Sequence, residues 1–237
     1  YFRLLHNGTI TCNGYTRINR LYSSNATGFN THLVLNAGAE FFLDNANINY
    51  SIWHENNGLI EGAGLLRFGV GPNGEPARVY LKTGSELTIK TPITSAGGLE
   101  HYNTNSGGGK LILDCVNTIS SNLVISSIGM VSVSKIGNRG AIDSNIGKGD
   151  KIELTGPGST LIYTGEGETT DRIIDFSNNV KLDQSGSGDL IFSENLIFSS
   201  DAKTLTLTGS SESAGELAGT IGSLTNTAAL TKDGSGE

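Results

Sequence analysis

A glycine-led string, Gly-x-Gly-x-Leu-x-apolar, returns along the chain and limits what it can fold into. It reads Gly62-Ala63-Gly64-Leu65-Leu66-Arg67-Phe68, one residue out of register, then Gly107-Gly108-Gly109-Lys110-Leu111-Ile112-Leu113, then Gly186-Ser187-Gly188-Asp189-Leu190-Ile191-Phe192. A fourth copy begins at Gly234-Ser235-Gly236-Glu237. The gaps from Gly62 to Gly107 and from Gly186 to Gly234 are nearly equal, and the middle gap is much longer. The outer gaps each fit two units of about 22–24 residues, a period that marks a solenoid whose units bury their apolar faces by stacking. The middle gap calls for an irregular unit or an insertion.

Short apolar alternations fill the spaces between the glycines. They include Leu33–Leu35, Asn47–Ile52, Arg78–Lys82, Glu86–Ile89, Lys110–Leu113, Asn122–Ile125, Lys151–Leu154, Asp189–Phe192 and Thr204–Thr208. Period-two patterns bounded by Gly, Asn, Ser or Asp are strand signals, and a sandwich would show them too. The repeats decide for a parallel β-helix. A second unit agrees: Leu33-Val34-Leu35-Asn36-Ala37-Gly38 resembles Leu123-Val124-Ile125-Ser126-Ser127-Ile128-Gly129, at a separation close to four coils.

Glycine, serine, asparagine and threonine supply 103 of the 237 residues, against 36% hydrophobic and 16% charged. All four disfavour helix, which excludes an all-α protein. Glycine adopts left-handed corner conformations freely and asparagine tolerates them, so the same excess suits tight corners. No stretch approaches the roughly 20 apolar residues of a membrane helix. No signal peptide is visible at Tyr1 and no initiator Met is present, which reads as a mature or excised segment. The expectation is an all-β parallel β-helix (β-solenoid) of roughly ten coils, a rod of about 45–50 Å at the usual strand spacing.

That geometry bears on Cys12 and Cys115, which lie far apart in the chain. Four to five coils separate them by roughly 20 Å, whereas a disulfide tolerates Cα separations of about 7 Å at most. Two free thiols are expected, with Cys115 continuing the inward alternation of Leu111 and Leu113. Neither has metal-ligand spacing.

Further motifs narrow the family. Thr164-Gly165-Glu166-Gly167-Glu168-Thr169-Thr170-Asp171-Arg172, followed by Leu182-Asp183-Gln184-Ser185-Gly186-Ser187-Gly188, resembles the autotransporter-associated β-strand repeat. So do Lys203-Thr204-Leu205-Thr206-Leu207-Thr208-Gly209, Ala214-Gly215-Glu216-Leu217-Ala218-Gly219 and Ala229-Leu230-Thr231-Lys232-Asp233-Gly234-Ser235-Gly236. The resemblance covers 150–237 most fully and 107–133 in part; before residue 103 only the isolated units match. It implies a right-handed parallel β-helix from a large bacterial surface or secreted protein. It implies no catalytic residues, and a link to the membrane only through a translocator barrel outside this stretch.

Two parts are distinguishable. Residues 1–102 hold all four His, the only Trp, six of seven Tyr and five of eight Phe, with no net charge. They read either as degenerate coils of the same solenoid or as a cap, and the repeat logic favours one continuous β-helix. Residues 103–237 carry the repeat-like coils and the whole net charge of −7, and end within a repeat. No cluster of Lys or Arg exists, so a nucleic-acid partner is not expected.

The search for chemistry returns no catalytic, cofactor-binding or metal residue. Glycoside hydrolysis needs two carboxylates about 5–10 Å apart; the nearest acids are Glu166 and Glu168, with Asp171 and Asp175 downstream, and they read as a solvated turn. Asp171 and Arg172 are strand neighbours and point to opposite faces. His54 sits between Trp53 and Glu55, which also point away from it. Gly107-Gly108-Gly109-Lys110 lacks phosphate-loop spacing. Gly147-Lys148-Gly149-Asp150 and Gly186-Ser187-Gly188-Asp189 only echo the calcium nonapeptide. Asn7, Asn25 and Asn49 open Asn-x-Ser/Thr triplets, as chance allows among 22 Asn and 48 Ser/Thr. An exposed aromatic row including Tyr15, Tyr22 or Tyr50 would stack on sugars, but core stacking is the commoner fate of such residues.

The leading expectation is a non-enzymatic structural or adhesive segment at the bacterial cell surface or outside the cell, with self-association or surface glycans and proteins as partners. The alternatives are a β-helical polysaccharide lyase or glycosidase, and a self-assembling extracellular filament subunit.

Overall fold

The computed structural model describes residues 2–4, 7–23, 30–44, 50–102, 108–222 and 226–235. They form a right-handed parallel β-solenoid with three faces, in which every strand pairs in parallel with the strand one turn away. Face one is a nine-stranded sheet from Phe2–Leu4 to Ile197–Phe198. Face two has ten strands: Gly8–Cys12, Thr31–Leu35, Gly58–Glu61, Glu86–Ile89, Lys110–Leu113, Met130–Val133, Thr160–Tyr163, Val180–Gln184, Lys203–Thr208 and Ala228–Lys232. Face three is broken in two, with five strands from Tyr15–Ile18 to Thr118–Ile119, then three from Glu168–Thr170 to Gly215–Leu217. Turns are numbered here from the strand Phe2–Leu4. Eight of them carry a strand on every face, and the ten rungs of face two span about 43 Å. The ladder crosses residue 102 unbroken, since Leu99–His101 pairs with Leu123–Ile125.

Alternation builds the core. Inward residues stack in columns such as Leu33, Ile60, Ile89, Leu113, Val133 and Tyr163 on face two. On face one the column Leu21, Ile52, Val79, His101, Ile125, Leu154, Phe176 and Phe198 is nearly sealed from solvent. Each fully buried aliphatic side chain contributes about 1.5–3 kcal/mol, and a narrow tube needs few of them per turn.

The corners use a second device. An Asn or Asp side-chain oxygen accepts the backbone N–H of a residue one turn away: Asn57 from Glu86, Asn122 from Lys151, Asn179 from Thr204, Asp189 from Ala214, Asn195 from Thr220 and Asp201 from Thr227. Asn117 is buried and bridges three turns: its Oδ1 accepts Ile93 N–H at 2.8 Å and its Nδ2 donates to Asn145 O at 2.5 Å. These bonds satisfy corner N–H groups that no ladder reaches, which is why asparagine is abundant here.

The break in face three is an excursion. After Met130–Val133 the chain runs irregularly over 134–149, with Ile136 and Ile146 still in the core, and rejoins the ladder at Lys151–Leu154, which makes the step from Met130 to Thr160 the longest on face two. It lies inside the long middle gap between the glycine strings, where an irregular unit was expected.

Several expectations need correction. The glycine strings do not mark one recurring position: Leu65–Phe68 lies on face three, Lys110–Leu113 on face two and Leu190–Phe192 on face three again. A corner before any face needs the same glycine chemistry, so the string reports corners, not turns. Likewise Leu33–Leu35 lies on face two and Leu123–Ile125 on face one. The strand expected at Asn47–Ile52 begins at Ile52 and runs to His54; residues 45–49 are outside the described set. Both cysteines are free thiols, as their separation requires, but only Cys12 faces inward; half-buried Cys115 sits in the bend after its strand.

Candidate functional site

The outer side of face one carries the densest cluster of chemistry. Tyr22, Trp53 and Tyr80 are in-register neighbours on successive rungs, and Tyr102 follows directly after His101, the partner of Val79. Parallel pairing with an intact register makes this stack, because each ring occupies the same outward position. Trp53 and Tyr80 have centroids 4.1 Å apart. Tyr50, from the preceding corner, packs on Trp53, Tyr80 and Tyr102 at 5.1, 5.8 and 5.5 Å. Arg20 lies over Tyr50 and Arg78 over Tyr102. Tyr22 and Tyr50 therefore share one cluster with Trp53, Tyr80 and Tyr102, but Tyr50 and Tyr80 are buried in it at 9% and 8% exposure, so the rings pack on one another and do not form an exposed row; Tyr15 stands apart on face three, 60% exposed. Tyr50 meets Trp53 nearly perpendicular, at an interplanar angle of 87°, and Trp53 Nε1 donates to Glu55 at 2.8 Å.

Farther along the same face lies a polar strip. Arg78 pairs with Glu100 at 2.8 Å, and Ser126 Oγ donates to the other Glu100 oxygen. Two turns on, Glu153 and Asp175 are in register on adjacent rungs, about 4.8 Å apart along the axis. Asn122 Nδ2 donates to Glu153 at 2.6 Å and Lys151 Nζ to Asp175 at 2.9 Å. This stacked carboxylate pair escaped the sequence because its members lie a full turn apart in the chain. Only the turn length would have found it.

The acids singled out from sequence are dispersed. Glu166 is exposed. The Glu168 carboxylate accepts the backbone N–H groups of Ile136 and Gly137 at 2.6 and 2.7 Å. Asp171 takes the N–H of Arg139 and faces its guanidinium at 3.3 Å. Asp171 and Arg172 do not pair. Arg172 is 1% exposed and points into the base of the excursion, donating to the carbonyls of Gly137, Asn138, Gly147 and Gly149 and toward Ser144 Oγ. These acids and this arginine anchor residues 134–149 to the tube; no pattern in the residues signalled that a buried arginine was involved.

His54 turns inward and is 2% exposed, so Trp53 and Glu55 meet each other on the far side of the strand. Burial holds its ring well below the ordinary histidine range, at about 4. His101, wholly buried in the face-one column, is likewise held at about 4 by burial, with Nε2 against Gly109 O at 2.8 Å. Burial also raises both cysteine thiols. Among the described residues, no group of three or more His, Cys, Asp or Glu could hold a metal ion, and no helix is long and apolar enough to cross a membrane.

Comparison with known proteins gives one partial likeness. Over 100 residues the chain is 34% identical to the adhesin BmaC autotransporter of Brucella suis biovar 1 (strain 1330), a stretch covering 39% of this chain and 3% of that protein. No family model matches the chain, and no solved structure matches it.

Proposed function

We propose that this chain is a non-enzymatic structural and adhesive segment of a bacterial cell-surface or secreted fibrous protein, of the autotransporter-repeat type, acting as a stiff β-helical rod. The observation that carries this reading is the ten-strand ladder of face two, which keeps its pairing from Gly8 to Lys232. A repeating tube gains similar stability from each rung, so it can be lengthened without redesign. Backbone ladders, aliphatic columns and corner Asn/Asp bridges all run along one axis, which is the arrangement that resists bending. The partial likeness to an autotransporter adhesin supports the surface setting, and surface glycans or proteins are the partners proposed. Microspheres coated with the purified chain should be retained under flow on epithelial monolayers and extracellular matrix above spheres coated with an unrelated β-solenoid. Equal retention overturns the adhesive role.

A second reading has its own observation. The in-register pair Glu153 and Asp175 stacks two carboxylates on adjacent rungs of one outer face, the kind of pairing from which a β-helical glycosidase would draw its two acids. Turnover of polysaccharide by the purified chain, abolished in Glu153→Gln and Asp175→Asn, would establish it and displace the non-enzymatic reading.

A further inference from the structure

The two buried histidines share a placement. His54 in turn 3 lies between Ser23 and Leu81 on neighbouring rungs, and His101 in turn 5 lies between Val79 and Ile125. His54 Nε2 and His101 Nδ1 are buried without a hydrogen-bond partner. The His54 ring lies over Gly58, where a Cβ would meet Nε2 at 2.5 Å and Leu87 at 3.0 Å. The His101 ring lies against Gly109 and Gly129. Among the described residues, no titratable or charged side chain faces either ring from these elements: the polar groups beside His54 are Ser23, bonded to Thr31, and the backbone of Asn57, and Glu100 faces outward to Arg78. A proton gained by either ring therefore has no counter-ion inside the tube, and a buried unpaired charge is strongly unfavourable.

Both residues also alternate with members of the aromatic strip. Trp53 precedes His54 and Tyr102 follows His101, so freeing either strand frees an outer ring. Every histidine of the chain lies in its first 102 residues, so turns 7 to 9 hold no equivalent group.

We propose that turns 3 to 5 form an acid-sensitive latch, in which protonation of His54 and His101 releases the strands Ile52–His54 and Leu99–His101 and dismantles the outer aromatic strip while turns 7 to 9 stay paired. The latch rests on the fold and is independent of the adhesive reading. The sign follows from linkage. The rings are neutral in the fold and free to ionise near 6.5 when released, so the released state binds more protons and stability falls as pH drops from about 6.5 toward about 4. At pH 5 each histidine shifts the opening equilibrium by about 30-fold, and both together by about a thousandfold if they open as one unit. Solenoid turns interact mainly with their neighbours, so this opening need not spread along the tube.

Amide hydrogen exchange at pH 7 and pH 5, corrected for intrinsic rates, reads the latch directly. Protection should fall at least about 20-fold between pH 7 and pH 5 in 52–54 and 99–101 and stay unchanged in 173–176 and 180–184. The fluorescence of Trp53, the only tryptophan, should shift over the same range. The His54→Leu, His101→Gln double variant should lose the pH response. Uniform loss of protection along the chain, no loss at pH 5, or the same loss in the double variant overturns the proposal. Should that variant fail to fold at pH 7, NMR titration of the native rings decides: titration near 6.5 with the amides still protected overturns it, and rings neutral until their amides open support it.

Discussion

Arg172→Met tests how the excursion is held. The substitution keeps length and apolar volume and removes every donor. Gly137 O retains Thr170 Oγ1 at 2.7 Å, and Asn138 O retains the N–H of Ala141 at 3.0 Å. Gly147 O and Gly149 O depend on the guanidinium. Leaving two buried carbonyls unpaired costs about 1–3 kcal/mol each. Part of this is offset, because the guanidinium no longer has to be desolvated, an effect strong enough in the fold to depress its own pKa. The expected net loss is about 2–4 kcal/mol, concentrated in 135–149 and the adjoining rungs. Arg172→Lys should recover little, since one ammonium cannot match a planar fork reaching four carbonyls. Urea denaturation gives the total and hydrogen exchange the location. Loss below about 1 kcal/mol, or loss spread evenly over the chain, would refute the idea that this arginine is the key to the excursion.

Asn117→Ala strands the Ile93 N–H and the Asn145 carbonyl in buried positions and should cost about 2–4 kcal/mol in urea denaturation; a change under about 1 kcal/mol contradicts the corner-bridge account. Gly186→Ala would place a Cβ 2.2 Å from Gly165 O, whereas Gly14→Ala meets nothing within 4 Å, so the first should destabilise by about 1–3 kcal/mol or more and the second much less. Burial raises both thiol pKa values, with Cys12 facing the core and Cys115 half-buried; disulfide-exchange labelling at pH 8 should be slower at Cys12 than at Cys115, and denaturant should bring both to the same rate.

Much of the architecture was legible in the residues. The alternations at Glu86–Ile89, Lys110–Leu113 and Lys151–Leu154 are strands at those bounds, because each follows the simple rule that every second side chain faces the core. Which face a strand occupies was not legible. Turn length on face two is uneven: the step from Met130 to Thr160 is half again as long as the step from Lys110 to Met130. A fixed period therefore cannot be projected past one or two turns. The candidate surface shows the same limit. Tyr22, Trp53 and Tyr80 are unevenly spaced in the chain, and only pairing brings them together. Arg172 was hidden for another reason: its neighbour Asp171 offered an obvious partner, while its actual partners are backbone carbonyls, which no side-chain pattern reveals.

The continuous in-register ladder is the central claim, and one outer column of face two tests it. Thr9, His32, Leu59, Thr88, Ile112, Ser132, Ile162, Asp183 and Thr208 are successive register partners. Spin labels on cysteines at Thr9, Thr88, Asp183 and Thr208, with Cys12 and Cys115 replaced, allow pairwise distances by pulsed electron resonance. Rung spacing predicts about 14 Å from Thr9 to Thr88, about 19 Å from Thr88 to Asp183 and about 38 Å from Thr9 to Thr208, with label linkers broadening each. Distances rising in proportion to rung number confirm the rod; a Thr9–Thr208 separation no longer than Thr88–Asp183 contradicts it.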